Sequence, residues 1–189
     1  QKYKNIHFVK EGAFKSKLKG EYNQKNISLA VAVCRDLGVD DATMLKAVEG
    51  FAGLPRRYEF IGNYMSTKIY IDYAHHPTEL DAFITTFKQE YPNSLIIFQP
   101  HTYSRTKMFL KEFVDVLNKL NNVCIFKEYP AREQKKAGLD AKFLAKIIKQ
   151  KNPHCLYLPN KNKLSGLMQK YEAVAFVGAG DIVDVARSF

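Results

Sequence analysis

Two short segments hold several titratable side chains whose types suit chemistry. Residues 72–79 read Asp-Tyr-Ala-His-His-Pro-Thr-Glu, and residues 99–106 read Gln-Pro-His-Thr-Tyr-Ser-Arg-Thr. They contain His75, His76 and His101, three of the five histidines of the chain. Adjacent histidines rarely point at one metal ion, and no HExxH or CxxC spacing accompanies them. We therefore expect no metal site here, and chemistry based on imidazole, carboxylate and guanidinium groups.

The elements that must position these segments are strands that alternate with helices. Apolar runs predict strands at residues 68–71, 94–98, 122–126, 155–158 and 173–177. A helical stretch with its own apolar face follows each strand. Strands connected in this way form a mostly parallel sheet that is covered by helices on both faces. The predicted fold class is therefore α/β, a doubly wound Rossmann-like domain.

Both chemistry-bearing segments follow a predicted strand, as do the polar segments 127–133 and 178–181. In open α/β sheets, ligands bind beyond the carboxyl ends of the strands, so these segments predict a functional site at one sheet edge. Some of their residues also suit local structure: Pro77 fits the first position of a helix, and Ser104 fits an N-cap.

The region before the predicted sheet is helical. Apolar residues at helical spacing predict one helix from Asn23, capped by Asn23 and stopped by Gly38. A second helix is expected from about Asp41, with a buried face formed by Met44, Leu45 and Val48. Glycines and a proline then interrupt the pattern. We place the domain boundary there, so that residues 1–54 precede a domain of residues 55–189.

The composition is that of a folded globular chain, with 189 residues of which 46% are hydrophobic and 25% charged. No apolar run approaches the roughly 18 residues needed to span a bilayer, and the first residues lack the apolar core of a signal peptide. An odd number of widely spaced cysteines favours a reducing cytoplasm. The net charge of +10 comes largely from lysines at helical spacing and identifies no partner by itself.

The two chemistry-bearing segments resemble signature loops of the Mur ligases, and in particular of the branch that joins L-alanine to UDP-N-acetylmuramate. Three further stretches agree in order and spacing: residues 20–26 (Gly-Glu-Tyr-Asn-Gln-Lys-Asn), 53–59 (Gly-Leu-Pro-Arg-Arg-Tyr-Glu) and 177–182 (Val-Gly-Ala-Gly-Asp-Ile). The resemblance covers nearly the whole chain. It assigns residues 1–54 to the end of the family's central ATPase domain and residues 55–189 to its carboxy-terminal domain.

This resemblance implies an ATP-dependent, ADP-forming ligase of peptidoglycan precursor synthesis that works through an acyl phosphate. It implies ATP and Mg²⁺ as cofactors, held mainly by a part of the enzyme outside this chain, since residues 1–189 contain no Gly-rich GKT/S loop. The implied partners are UDP-N-acetylmuramate, L-alanine, and the amino-terminal and central domains of the same polypeptide. Neither nucleic acid nor membrane is expected as a partner, and the fragment alone is expected to be inactive.

The resemblance also assigns individual nucleotide-binding residues. Tyr22 and Asn26 would contact adenine, where they offer an aromatic face and an amide that both donates and accepts. Arg57, in preference to Arg56, and Asp72 would reach the ribose and phosphates of ATP. Arginine suits this role because its charge persists and its fork matches phosphate oxygens.

Four residues would form the pocket of the incoming amino acid: Tyr73, His75, His101 and Arg105. Arg105 would bind the carboxylate, and His75 and His101 would lie near the reacting centre as catalytic residues. Many relatives carry arginine at the position of Thr102, so glycine or serine stays open as an alternative to L-alanine.

Three other functions stay open at this point. A related ligase attaches a recycled murein tripeptide to the same UDP-sugar and shares these loops. A basic, non-catalytic module that binds nucleic acid would account for the net charge. A regulatory domain that binds a nucleotide without chemistry would account for the polar sheet edge.

Overall fold

A computed structural model describes residues 9–134 and 140–189. The chain divides into two compact units, of which the first ends at Gly53 and the second runs from Leu54 to Phe189. The first unit contains two helices, α1 (Glu21–Asp36) and α2 (Asp41–Gly50). Their buried contact is small and consists of Ile27, Val31 and Met44.

Two details of the first unit differ from the sequence prediction. Asn23 is not the N-cap of α1, because the helix begins at Glu21 after Gly20, and the side-chain Nδ2 of Asn23 donates to the carbonyl of Lys19 at 2.6 Å. Leu45 was expected to be buried but is 48% exposed. The face of α2 that packs against α1 carries the other two predicted residues, Met44 and Val48, which are four residues apart.

The second unit contains six strands and six helices among its described residues. The strands are β1 (Glu59–Tyr64), β2 (Thr67–Asp72), β3 (Ser94–Phe98), β4 (Val123–Phe126), β5 (Leu156–Leu158) and β6 (Ala173–Val177). The helices are α3 (Pro77–Glu90), α4 (Tyr103–Met108), α5 (Leu110–Leu117), α6 (Ala141–Lys149), α7 (Leu164–Met168) and α8 (Ile182–Arg187).

The strands form one sheet in the order β1-β2-β6-β3-β4-β5. Every neighbouring pair is parallel except β1 and β2, which are antiparallel. The sequence prediction missed β1. This edge strand has Gly62 in its middle and a register irregularity between Phe60 and Gly62, and none of its residues is fully buried. A strand of this kind lacks the continuous apolar run that marks a central parallel strand.

Helices cover both faces of the sheet. One core cluster joins α3, α5 and α6 to strand residues that include Ile96 and Phe98, and the other joins α7 and α8 to Leu95 and Ile97. Neighbouring residues of β3 thus enter opposite core layers, as the two-residue period of a strand requires. The predicted doubly wound, mostly parallel α/β fold is confirmed.

The described residues contain no helix that is long and apolar enough to cross a membrane. All three cysteines are free. Two of them lie in the core of the second unit, where burial raises the pKa of Cys124 to about 12 and that of Cys155 to about 11. Both thiols are therefore protonated at neutral pH and act as small apolar groups.

Candidate active site

The site lies where three parallel strands end side by side. Asp72 at the end of β2 is in register with Val177 at the end of β6, which is in register with Phe98 at the end of β3. The segments that follow these strands therefore leave the sheet at the same edge. We call this edge the rim, formed by the segments 72–79, 99–106, 127–133 and 178–181.

The rim brings together two of the predicted histidines and the predicted arginine. The ring centroids of His75 and His101 are 5.9 Å apart, and Nη1 of Arg105 lies 3.2 Å from Nδ1 of His101. Burial, together with the charge of Arg105 and the nearby His75, lowers the pKa of His101. A guanidinium only donates, so Nδ1 of a neutral His101 accepts this bond and its proton lies on Nε2.

Helix α4 holds His101 and Arg105 in this arrangement. Its N-cap is Thr102, whose side chain accepts from the Arg105 amide, and the Thr102 amide donates to the Tyr129 carbonyl at 2.9 Å. The prediction that Ser104 caps this helix was wrong, because Ser104 lies inside the first turn. Thr102 has a φ of 65°, which is strained for a β-branched residue and could not be expected from sequence.

Glu133 contacts the same helix start. The amide of Ser104 donates to Oε2 of Glu133 at 2.9 Å, and the Ser104 hydroxyl donates to Oε1. The charge of Glu133 acts to raise the pKa of His101 and so opposes the three causes that lower it. Sequence reasoning did not single out this carboxylate, because its contact depends on how the segment after β4 approaches α4.

Glu79 fixes the other histidine. Its carboxylate accepts from the His75 amide at 3.1 Å and lies 3.3 Å from Nδ1 of the His75 ring. The same Nδ1 is 2.9 Å from the carbonyl oxygen of Tyr73. Both neighbours are acceptors, so the proton of a neutral His75 lies on Nδ1 and its Nε2 is left as an acceptor.

His76 has a local structural role. It is the N-cap of α3, where its Nδ1 accepts from the Thr78 amide at 3.3 Å while Glu79 accepts from the His76 amide at 3.3 Å. Pro77 occupies the first helical position, as predicted. His76 and Glu79 form a capping box, in which histidine occupies the position that is usually serine or threonine. The sequence analysis did not identify this pattern.

Tyr73 lies beneath two guanidinium groups. The Cζ atom of Arg56 is 4.6 Å from the Tyr73 ring centroid, and that of Arg57 is 5.3 Å away. The Arg57 side chain is 48% exposed, and its Nη1 forms a long ion pair with Glu79 at 3.9 Å. Arg57 is therefore accessible to an anion, and its preference over Arg56 as a contact of ATP stays a prediction.

Arg56 is instead used to hold the rim. Its Nη2 donates to the carbonyl oxygens of Gly178 at 3.0 Å and Gly180 at 3.2 Å. Its own amide donates to the side chain of Glu59 at 2.6 Å. The two guanidinium bonds join the start of the second unit to the segment after β6.

Asp72 is 5% exposed, and both of its oxygens accept backbone bonds. Oδ2 accepts from the Tyr58 amide at 2.8 Å, and Oδ1 accepts from the Ala74 amide at 2.7 Å. Burial raises the pKa of this carboxyl, while the two backbone bonds act in the opposite direction. The structure thus gives Asp72 an anchoring function, whereas its assignment to the nucleotide ribose stays a prediction.

Tyr22 and Asn26, the predicted adenine contacts, belong to the first unit. They are four residues apart on α1 and so lie on one face of that helix. Asn26 borders a cavity of about 450 Å³ between α1 and α2 that is lined mainly by apolar side chains.

Comparison with known proteins identifies the fold more closely. The glutamate ligase domain of Mur ligases matches residues 56–186, which include the whole rim. This chain belongs to the Mur ligase family.

Several relatives of this Mur ligase chain carry the name UDP-N-acetylmuramate–L-alanine ligase. That of Agathobacter rectalis is 34% identical over 174 residues, a match to 89% of this chain and 38% of the relative. That of Flavobacterium psychrophilum is 37% identical over 169 residues, a match to 87% of this chain and 37% of the relative. The chain thus spans less than two fifths of the length of these relatives.

Solved structures agree on the fold. The UDP-N-acetylmuramate-alanine ligase of Thermotoga maritima superposes with a TM-score of 0.74 at 26% identity, over 93% of this chain and 38% of that one. A murein peptide ligase of Psychrobacter arcticus gives a TM-score of 0.65 at 19% identity, over 93% of this chain and 37% of that one. The second likeness concerns the fold alone.

The rim of this Mur ligase chain offers complementary chemical groups. His75 presents an acceptor nitrogen, His101 presents an N–H donor, and Arg105 supplies a guanidinium that can bind a carboxylate. Within residues 9–134 and 140–189, no group of three or more His, Cys, Asp or Glu side chains could hold a metal ion.

Proposed function

We propose that this chain is the carboxy-terminal part of an ATP-dependent UDP-N-acetylmuramate:L-alanine ligase. The observation that supports this most directly is the approach of His75, His101 and Arg105 at the rim of a Mur ligase domain. The names of the relatives in Agathobacter rectalis and Flavobacterium psychrophilum favour the same substrates. Three free cysteines agree with action in the reducing cytoplasm.

The proposed reaction has two steps. The muramic acid carboxylate first takes the terminal phosphoryl group of ATP, which leaves ADP and an acyl phosphate. The amino nitrogen of L-alanine then attacks the acyl carbon, and the tetrahedral intermediate expels phosphate as the amide forms. The alanine ammonium must lose one proton before attack, and the attacking nitrogen loses a second as the amide forms.

Three residues of this chain would act in the second step. Arg105 would hold the alanine carboxylate through two parallel bonds, which orients the amine for attack. His75 would take a proton at Nε2, while Glu79 beside its Nδ1 stabilises the resulting imidazolium. His101 would donate from Nε2 to the oxygen on which negative charge develops.

The nucleotide would be held only in part by this chain. Arg57 suits the phosphates because its guanidinium is half exposed and has one long ion pair. Tyr22 and Asn26 suit the adenine because they share one face of α1. ATP supplies the phosphoryl group that activates the carboxylate, and we assign the phosphate loop and the Mg²⁺ ligands to the remainder of the polypeptide.

We expect the isolated chain to show no ATP turnover, because it contains no phosphate loop. The full-length protein should release ADP only when both UDP-N-acetylmuramate and L-alanine are present. A coupled assay for ADP, run with each substrate omitted in turn, measures ATP turnover by the isolated chain and the substrate dependence of ADP release by the full-length protein. Robust ATP hydrolysis by the purified chain, or ADP release by the full-length protein without dependence on the amino acid, would contradict the proposal.

A further inference from the structure

One buried amide side chain of the rim, that of Gln99, is bonded to three residues in two other segments. Gln99 directly follows β3 and is 2% exposed. Its Nε2 donates to the carbonyl of Lys127 at 3.0 Å and to Oδ1 of Asp181 at 2.7 Å. Its Oε1 accepts from the amide of Ile182 at 3.1 Å. The side chain thus uses two donors and one acceptor, a set that among uncharged side chains only a primary amide supplies.

These bonds connect the segments that carry the site. Lys127 begins the segment after β4, while Asp181 and Ile182 lie where α8 begins after β6. The Gln99 backbone also donates to the Val177 carbonyl at 2.8 Å, which continues the β3–β6 pairing into the rim. His101 is two residues further along the chain, so Gln99 sets the point from which it leaves the sheet.

The glycines of the turn after β6 are packed directly against Gln99. A Cβ atom at Gly178 would lie 2.8 Å from the Gln99 carbonyl oxygen, and the φ of 153° at Gly178 also disfavours a side chain. A Cβ atom at Gly180 would collide with Oε1 of Gln99 and would lie 2.5 Å from Cβ of Tyr129. There is thus no room for a side chain at either glycine, and this close packing leaves the turn little freedom to move relative to Gln99.

The same turn is linked to the reactive groups. Its carbonyls at Gly178 and Gly180 accept from Arg56, whose guanidinium lies over Tyr73. On the other side, Tyr129 stacks on the ring of His101 with centroids 5.6 Å apart. A shift of the turn would therefore displace Tyr73 at one end of the proposed amino acid pocket and His101 at the other.

We propose that Gln99 is a positioning residue for the second step of the ligase reaction. It acts through the turn of residues 178–181 and through Tyr129, which together fix His101 and the ring of Tyr73. The assignment to this step rests on the proposed function. The hydrogen bond from Nε2 of Gln99 to Oδ1 of Asp181, which we call the clamp, is independent of that function.

A double-mutant cycle of Q99E, D181N and Q99E/D181N tests the clamp in the 189-residue chain. In Q99E, the side-chain N–H donor to Asp181 is replaced by a carboxylate oxygen, and the two carboxylates repel each other. The midpoint of thermal unfolding should therefore fall. In Q99E/D181N, the amide introduced at position 181 can donate to the carboxylate at position 99 and should recover part of the loss. Additive effects of the two substitutions on the midpoint would overturn the clamp.

The positioning role is tested in the full-length protein with Q99M, which preserves side-chain length and removes the hydrogen bonds. Displacement of His101 should lower kcat/KM for L-alanine by about tenfold to a hundredfold. Acyl-phosphate formation, followed by positional isotope exchange in ATP, should change less than about threefold because it precedes binding of the amine. Equal losses in the two steps, or no loss in either, would overturn the positioning role. Absence of ligation by the unmodified protein would instead overturn the proposed function and leave the thermal result standing.

Discussion

Replacement of Arg105 by alanine in the full-length protein should lower kcat/KM for L-alanine by roughly 30- to 1000-fold. The estimate corresponds to about 2 to 4 kcal/mol for the loss of a charge-assisted, bidentate contact to the carboxylate. Acyl-phosphate formation should survive within about tenfold, because in the proposed reaction the amino acid enters only after that step. Positional isotope exchange in ATP and amide formation measure the two steps separately.

Lys107→Ala is the matched control, since it removes one positive charge from an exposed position of the same short helix. Histidine NMR provides a local readout, because the guanidinium of Arg105 is the largest cause after burial of the lowered pKa of His101. The pKa of His101 should therefore rise in R105A, and the imidazolium should persist to higher pH. If isotope exchange collapses as far as ligation does, Arg105 serves ATP or the muramoyl carboxylate instead.

Replacement of Asp72 by alanine should destabilise the second unit by about 2 to 5 kcal/mol. The substitution leaves the buried amide of Ala74 without its acceptor, at roughly 1 to 3 kcal/mol, and the partly buried amide of Tyr58, at roughly 1 to 2 kcal/mol. Urea unfolding followed by a probe in the second unit measures the loss. Asp72→Asn should cost less, because it preserves the shape and one acceptor oxygen.

Asp115→Ala provides the comparison for Asp72, since it removes a carboxylate from an exposed position on α5 and should change stability by no more than about 0.5 kcal/mol. Wild-type stability in D72A, together with weaker ATP binding by the full-length protein, would show that Asp72 is a nucleotide ligand and not an anchor.

The central strands could be predicted from sequence because burial on both faces leaves a continuous apolar run. The bounds of β3 and β6 agree with the prediction, and β4 and β5 each begin one residue later than expected. The edge strand β1 could not be predicted, because Gly62 and its half-exposed side chains remove that signal. The starts of α2 at Asp41 and of α3 at Pro77 agree with the prediction. The start of α4 could not be predicted, since its N-cap Thr102 adopts a positive φ that a β-branched side chain disfavours.

The location of the site could be predicted, whereas the bonds that organise it could not. Strand alternation alone placed the segments of His75 and His101 at one sheet edge. The contacts of Gln99 with Asp181 and of Asp72 with Tyr58 connect residues that are distant in sequence, by 82 and 14 positions. A polar residue at a strand end gives no sign of whether it faces a substrate or a neighbouring amide.

The most direct test of the proposed function is a competition for the acceptor. The full-length protein is incubated with ATP, Mg²⁺, UDP-N-acetylmuramate and equal concentrations of L-alanine, glycine, L-serine and the murein tripeptide, and the UDP-linked products are identified by mass spectrometry. We expect UDP-N-acetylmuramoyl-L-alanine as the main product. A tripeptide adduct as the main product, or the absence of any amide product while ATP is hydrolysed, would contradict it.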